Sequence, residues 1–289
     1  MRYMPDAADV LFLLAVLSGI WAAPAHAQAP PSTTNGALDE QAVLYTQETL
    51  PSTPLPSDSI DARLAALEEE RQTGEFRRIM HELEALAEQY PDHGGILWRL
   101  ARTRTDVAER TADEEQRKTL CRKALAEAEQ AVALLPNSSN AHLAKAVAAG
   151  RLGMISGTRR QVELSRMVRE YADRAIALGP ENDLAYHVRG RWHYEVAQLG
   201  FFARRVVNLV YGGLPDASFE EARADYRTAL DLEERLVHHF ELGRTLLEMD
   251  RPGSAREHLR RAIAMPRRDV TDPIYKERAR RLLQEMDRS

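Results

Sequence analysis

From Ser59 onward, apolar residues recur at intervals of three and four, and Gly, Pro or Asp punctuates the ends of the runs. That period lines apolar side chains along one face of a helix with about 3.6 residues per turn. The first predicted helix opens at Ser59-Ile60-Asp61, where Ser or Asp can cap, carries Leu64 and Leu67, and reaches Arg71 before Thr73-Gly74 breaks it. The second, Phe76 to Tyr90, sets Ile79, Leu83, Leu86 and Ala87 on one face and ends at Pro91-Asp92. Together they predict a helical hairpin.

The hairpin then repeats. Four later helices end alike, in AVALLP at Pro136, AIALGP at Pro180, ALDLEE at Glu234 and AIAMP at Pro266. With Ala131, Ala175, Ala229 and Ala262 taken as equivalent, the intervals are 44, 54 and 33 residues. A tetratricopeptide (TPR) unit takes about 34, so two intervals carry insertions and the last is nearly one bare unit. In that last unit Gly243, Ala255 and Ala262 lie 12 and 7 apart, the spacing of the small residues that let paired helices approach. The unit before it places Tyr186 and Gly190 on its first helix and Ala222, Tyr226 and Ala229 on its second. Earlier units begin at His142 with Ala146, and at Leu97 to Ala101. The fold class predicted is all-α: a TPR-like α-solenoid of about five helical hairpins over residues 59–289. A C-terminal capping helix, Pro273 to Met286, has Tyr275, Ala279, Leu282 and Leu283 on one side.

Ahead of the repeats the pattern changes. Val10 to Ala22 is a mostly apolar run of signal-peptide length, and Ala25-His26-Ala27 supplies the small residues that a signal peptidase inspects. The run is short for a membrane span. Residues 1–27 are therefore expected to be an export signal, cleaved or retained as an anchor, and the mature chain to be periplasmic or otherwise extracytoplasmic with no integral span. Arg2 is the only positive charge before the run, and Asp6 and Asp9 oppose it, which departs from the usual signal. Residues 28–58, rich in Pro, Ser, Thr and Ala without an apolar period, read as a disordered linker.

A formal charge of −5 argues against nucleic-acid binding. The charge is uneven: Arg251 to Ser289 holds 11 Lys and Arg against 6 Asp and Glu, either a docking face or a solvated helical surface. Cys121 is the only cysteine, so an internal disulfide is excluded. Enzyme signals are poor. There is no glycine-rich phosphate loop, nucleophile elbow or cysteine pair, and the adjacent His238 and His239 point about 100° apart on a helix, so they cannot chelate together. No catalytic residue, cofactor or metal is expected.

Two candidate binding regions remain. The insert Val196 to Tyr211 is apolar over most of its helical circumference, with Gln198, Arg204, Arg205 and Asn208 within about a third of it. Such a helix needs cover on more than one side. It is either an extra core helix, a wall of an apolar pocket with Arg204 and Arg205 at the mouth, or a membrane-surface helix. Its ligand candidates are Trp192, Phe201, Phe202, Arg204, Arg205 and Tyr211. The second region is the concave groove. Arg102, Arg191 and Arg244 each follow the small residue of a first helix, a register that faces inward; Val147 breaks the row. Trp98, His187 and Phe240 share another inward position, and Tyr194 lies one turn beyond Arg191. These arginines either grip a peptide carboxylate or lipid phosphate, or neutralise nearby acids.

The stretches Leu97–Glu109 and, above all, His187–Leu232, with its Gly-x-Trp and Arg-Arg insert, resemble the regulator of microtubule dynamics protein family. The resemblance covers roughly Ser59 to Met286 and implies a TPR-like helical domain. Animal members associate with microtubules and with mitochondrial or endoplasmic-reticulum contacts, and the TPR domain of one is described as binding and moving phospholipids. The export-type start departs from the family, so microtubule association is not carried over; a binding role is. The expected function is a non-enzymatic scaffold that holds a protein or peptide partner in its groove. The alternative is a phospholipid or other apolar-ligand binding protein using the insert over residues 196–215.

Overall fold

The computed structural model describes residues 57–288; the predicted export signal and nearly all of the linker lie outside the described residues. The described chain is helical from end to end. In order, it contains α1 (Ser57–Glu70), a 3-10 turn (Arg71–Thr73), α2 (Phe76–Gln89), α3 (Gly94–Glu109), α4 (Glu114–Leu134), α5 (Ser139–Gly153) and α6 (Thr158–Leu178). There follow α7 (Asp183–Ala197), α8 (Phe201–Tyr211), α9 (Phe219–Leu232), α10 (Leu236–Glu248), α11 (Pro252–Ala264) and α12 (Asp272–Arg288). Five hairpins stack as a TPR-like solenoid: α1 joins α2 through the Arg63–Glu82 ion pair and a shared apolar core, and α3 packs with α4, α5 with α6, α7 with α9, and α10 with α11. The last helix packs on the fifth, as a cap must.

Local chemistry fixes the helix starts. Asp113 Oδ1 accepts from Gln116 N at 2.6 Å and Ser138 Oγ from Ala141 N at 3.3 Å. Ser218 Oγ accepts from Glu221 N at 3.2 Å and donates to the Glu221 carboxylate at 3.1 Å, in a Ser-x-x-Glu start. Pro252 opens α11, where its missing N–H costs nothing.

Small residues set the hairpin crossings. Ala101, Ala131, Ala146, Ala175, Ala229 and Ala262 are fully buried. A Cβ on Gly190 would meet Asp225 and the Tyr226 ring at 3.1 Å, and one on Gly243 would meet Leu259 at 2.9 Å. Larger side chains there would push the helices apart.

The insert adds α8 inside the fourth hairpin. It is shorter than the Val196–Tyr211 stretch, because α7 runs on to Ala197 and the helix starts anew after Gly200. Ala203 and Val207, one turn apart, are buried in the same core as Leu199, Trp192 and Val196. Cover on more than one side does not follow: Leu209 and Val210 are 88% and 60% exposed. The helix ends at Gly212, whose φ of +76° favours glycine. Arg166 of α6 holds the end, its guanidinium donating to the carbonyls of Tyr211 and Gly213, the latter at 2.8 Å.

Candidate functional site

The inner helices bring the predicted groove residues into three places. At the start of the solenoid, Trp98 on α3 is buried beneath two guanidiniums, Arg99 at 4.1 Å and Arg102 at 5.2 Å from a ring centroid. Arg102 pairs with Glu68 of α1. Burial, and next the nearby Arg71, pull its pKa down to about 10.

Further along, Arg191, Tyr194 and Arg244 come together on α7 and α10 around two buried carboxylates, Glu195 and Glu241. Arg244 lies 3.9 Å over the Tyr194 ring and reaches Glu241 at 2.9 Å and Glu195 at 3.1 Å. Burial opposes the Arg244 charge, but the fields of Glu241, Tyr194 and Glu195 outweigh it and hold the guanidinium more firmly charged than usual. Arg191 follows the same pattern, with Glu241, Tyr275 and Glu195 outweighing burial. Burial raises the Glu195 carboxyl against the pull of Arg244. The Tyr194 hydroxyl donates to Glu248 at 3.2 Å and accepts from Gln198 at 2.8 Å. Each of these arginines therefore already faces a carboxylate of its own chain.

The third place is one that the sequence reading misses. Asp183 and His187 on α7 meet His238 on α10 in one hydrogen-bonded line. A carboxylate only accepts, so His238 Nε2–H donates to Asp183 Oδ2 at 2.9 Å, and its bare Nδ1 accepts from His187 Nδ1–H at 3.0 Å. Arg235 closes the line on Asp183 at 2.5 Å. Burial keeps both imidazoles below their ordinary pKa, His187 far below it. The adjacent His239 points elsewhere, to His258 at 2.9 Å and Glu234 at 3.1 Å. Among the described residues no cluster of three or more His, Cys, Asp or Glu is arranged to hold a metal ion.

The remaining candidates scatter. Phe240 lies under the capping helix, 5.3 Å from the Tyr275 ring. Trp192 is a core anchor whose Nε1–H donates to the Ser165 carbonyl at 2.8 Å and to its Oγ at 3.0 Å. Arg204 turns toward the backbone, donating to Val196 O at 3.1 Å, while Arg205 is exposed and Tyr211 half-buried. The side chains of Phe201 and Phe202 fall outside the described residues. A separate open pocket of about 420 Å³ lies between α4, α5 and α6, bounded by Val132, His142, Tyr171 and Arg174.

The sequence model of the regulator of microtubule dynamics proteins 1–3 matches residues 58–287, essentially the whole helical array. The chain belongs to that family. It is 28% identical over 187 residues to regulator of microtubule dynamics protein 3 of Xenopus laevis, covering 63% of this chain and 40% of that protein. To regulator of microtubule dynamics protein 1 of Mus musculus it is 27% identical over 195 residues, covering 66% and 64%. The match thus spans roughly half the length of these relatives. Among solved structures, a thermophilic TPR protein of Thermus thermophilus superposes with a TM-score of 0.58 at 16% identity, covering 76% of this chain and 97% of that one. That likeness establishes the helical-repeat fold of this family member.

Proposed function

We propose that this family member is a non-enzymatic scaffold that holds a protein or peptide partner against its inner helices. The observation that carries the reading is the pair of guanidinium–aromatic stacks, Arg99 and Arg102 on Trp98 and Arg244 on Tyr194, presented by α3, α7 and α10. An arginine pinned by an internal carboxylate keeps further N–H donors, and it is already oriented when a partner arrives. Extracytoplasmic action is part of the proposal and rests on the apolar run Val10 to Ala22. The test is photo-crosslinking in cells from a benzophenone amino acid at Arg99, at Gln198, and at the exposed Arg159 of α6 as control. The reading expects one discrete protein adduct from both inner positions and not from Arg159; identical adducts from all three would refute it.

A second reading, a phospholipid or apolar-ligand binding protein, is favoured by the exposed Leu209 and Val210 beside Arg205. The inner side of α8 is packed with protein, so ligand would have to sit on its outer side. Native mass spectrometry of the purified full chain separates the two: a stoichiometric lipid adduct lost on Leu209→Asp supports the second reading, and a bare protein mass removes it.

A further inference from the structure

In a linear solenoid each hairpin touches only its neighbours, so the first and the last have no reason to meet. Here they meet. The segment between α11 and α12 reaches the turn between α1 and α2, where the half-buried Val270 packs against the core that runs from the first hairpin into the fourth. Its seat is Gly74. A Cβ at that position would lie 2.9 Å from Val270 Cγ2, and Gly74 also has φ +90°, so two independent requirements fall on one glycine. Asp269, next to Val270, lies in the field of Arg71 on the same turn and of Arg110 at the end of α3.

The segment is built to hold that position. Asp269 Oδ1 accepts from Thr271 N at 2.8 Å and from Thr271 Oγ1 at 2.7 Å. Asp272 Oδ2 accepts from the backbone N–H of Arg268 at 2.7 Å and of Asp269 at 2.9 Å. The segment is anchored on both sides, by buried Met265 before it and by α12 after it, where the Tyr275 ring lies tilted against Phe240. Tyr275 also faces Arg191 of α7, so the cap lies against the inner helices.

We infer that Arg267–Thr271 is a latch: by docking Val270 on Gly74 it closes the solenoid on itself and restricts entry to the inner face. The latch has a small seat, one aliphatic side chain on one glycine, with the Asp269 carboxylate beside it in the field of Arg71 and Arg110, so it can open without unfolding a hairpin. Its role as a gate rests on the groove-binding reading; its existence does not.

The test uses the full chain with Cys121→Ala, nitroxide labels at Gln72→Cys and Arg267→Cys, and pulsed electron–electron resonance. A closed latch gives one narrow, short distance. Adding Val270→Asp with Asp269→Lys, or the milder Val270→Gly should the first pair fold poorly, is expected to shift that distribution to longer and broader distances. The same variants should raise crosslinking yield from the benzophenone at Arg99. A long, broad distribution in the unsubstituted latch, or one that neither variant moves, overturns the closure. Opening with an unchanged Arg99 adduct overturns the gate while leaving the scaffold standing. If no adduct forms in any variant the scaffold reading and the gate fail together, and the distance alone decides whether the ring is closed.

Discussion

The buried line Arg235–Asp183–His238–His187 makes stability depend on pH through two imidazoles held neutral. A histidine whose folded pKa is depressed adds stability that is complete above its unfolded value, near 6.5, and is lost as pH falls below that value. Asp183, held low against burial by His238 and Arg235, acts in a separate window, below about pH 4. The melting temperature should therefore fall between pH 7 and pH 5, before carboxylates enter. His187→Gln keeps an N–H donor for His238 Nδ1 and removes one titrating ring, so its loss between those two pH values should be smaller. An equal loss in the variant and the parent would show that His187 takes up its proton in the folded chain as readily as in the unfolded one, and would refute its being held neutral. The same line shows what stays hidden in a sequence. Register arguments place His187 on an inner face, but its partner is 51 residues away, across an insert that obscures which helix follows α7. The signal is present: inner helices of successive repeats are neighbours, and skipping the insert sets α7 beside α10. The angle of about 100° between the adjacent His238 and His239 is legible in the helical pattern, and each turns to its own partner, Asp183 and His258.

At the scale of the element, the informative case is α8. Its periodicity gives a wide apolar face, and pattern alone predicts cover on more than one side. Among the described residues the side with Ala203 and Val207 is buried, where the helix approaches α6, and Leu209 and Val210 are left exposed. Hydrophobic pattern states which side chains can be buried; the neighbours decide which are. The repeating hairpins are legible for the opposite reason, since each small residue at a crossing is fixed by the partner helix of its own unit. Two outcomes follow for α8. Val207→Asp puts a carboxylate into the buried core and should lower overall stability by about 3 kcal/mol or more, measured by denaturant melts. Arg166→Ala removes the donor to the carbonyls of Tyr211 and Gly213, a charge-assisted contribution of about 1.5–3 kcal/mol at most. Its effect should be local: amide exchange across residues 201–213 speeds up while α3–α6 keep their protection. Uniform loss of protection along the array would mean that α8 is a structural keystone rather than an added element.

Across the whole molecule, the balance between nearest-neighbour stacking and closure decides how stability is shared. An open array of hairpins behaves as a one-dimensional chain, in which damage to the last unit weakens its neighbour and leaves the first untouched. Contact between Val270 and Gly74 adds a bond between the two ends, and damage at one end then reaches the other. Leu259 provides the lever. It is fully buried between α10, α11 and α12, close to Gly243, and far in the chain from the first hairpin. Leu259→Ala should cost about 2–5 kcal/mol by leaving a cavity under the capping helix. In hydrogen exchange, the open array predicts faster exchange in α10–α12 and unchanged exchange in α1 and α2. The closed array predicts that the turn at Arg71–Gly74 and the first turn of α2 also lose protection, while α5 and α6, midway along the array, keep theirs. Restoring the first hairpin's protection with a disulfide across the latch, in the Leu259→Ala background, would show that the coupling runs through Val270 rather than through the stacked hairpins.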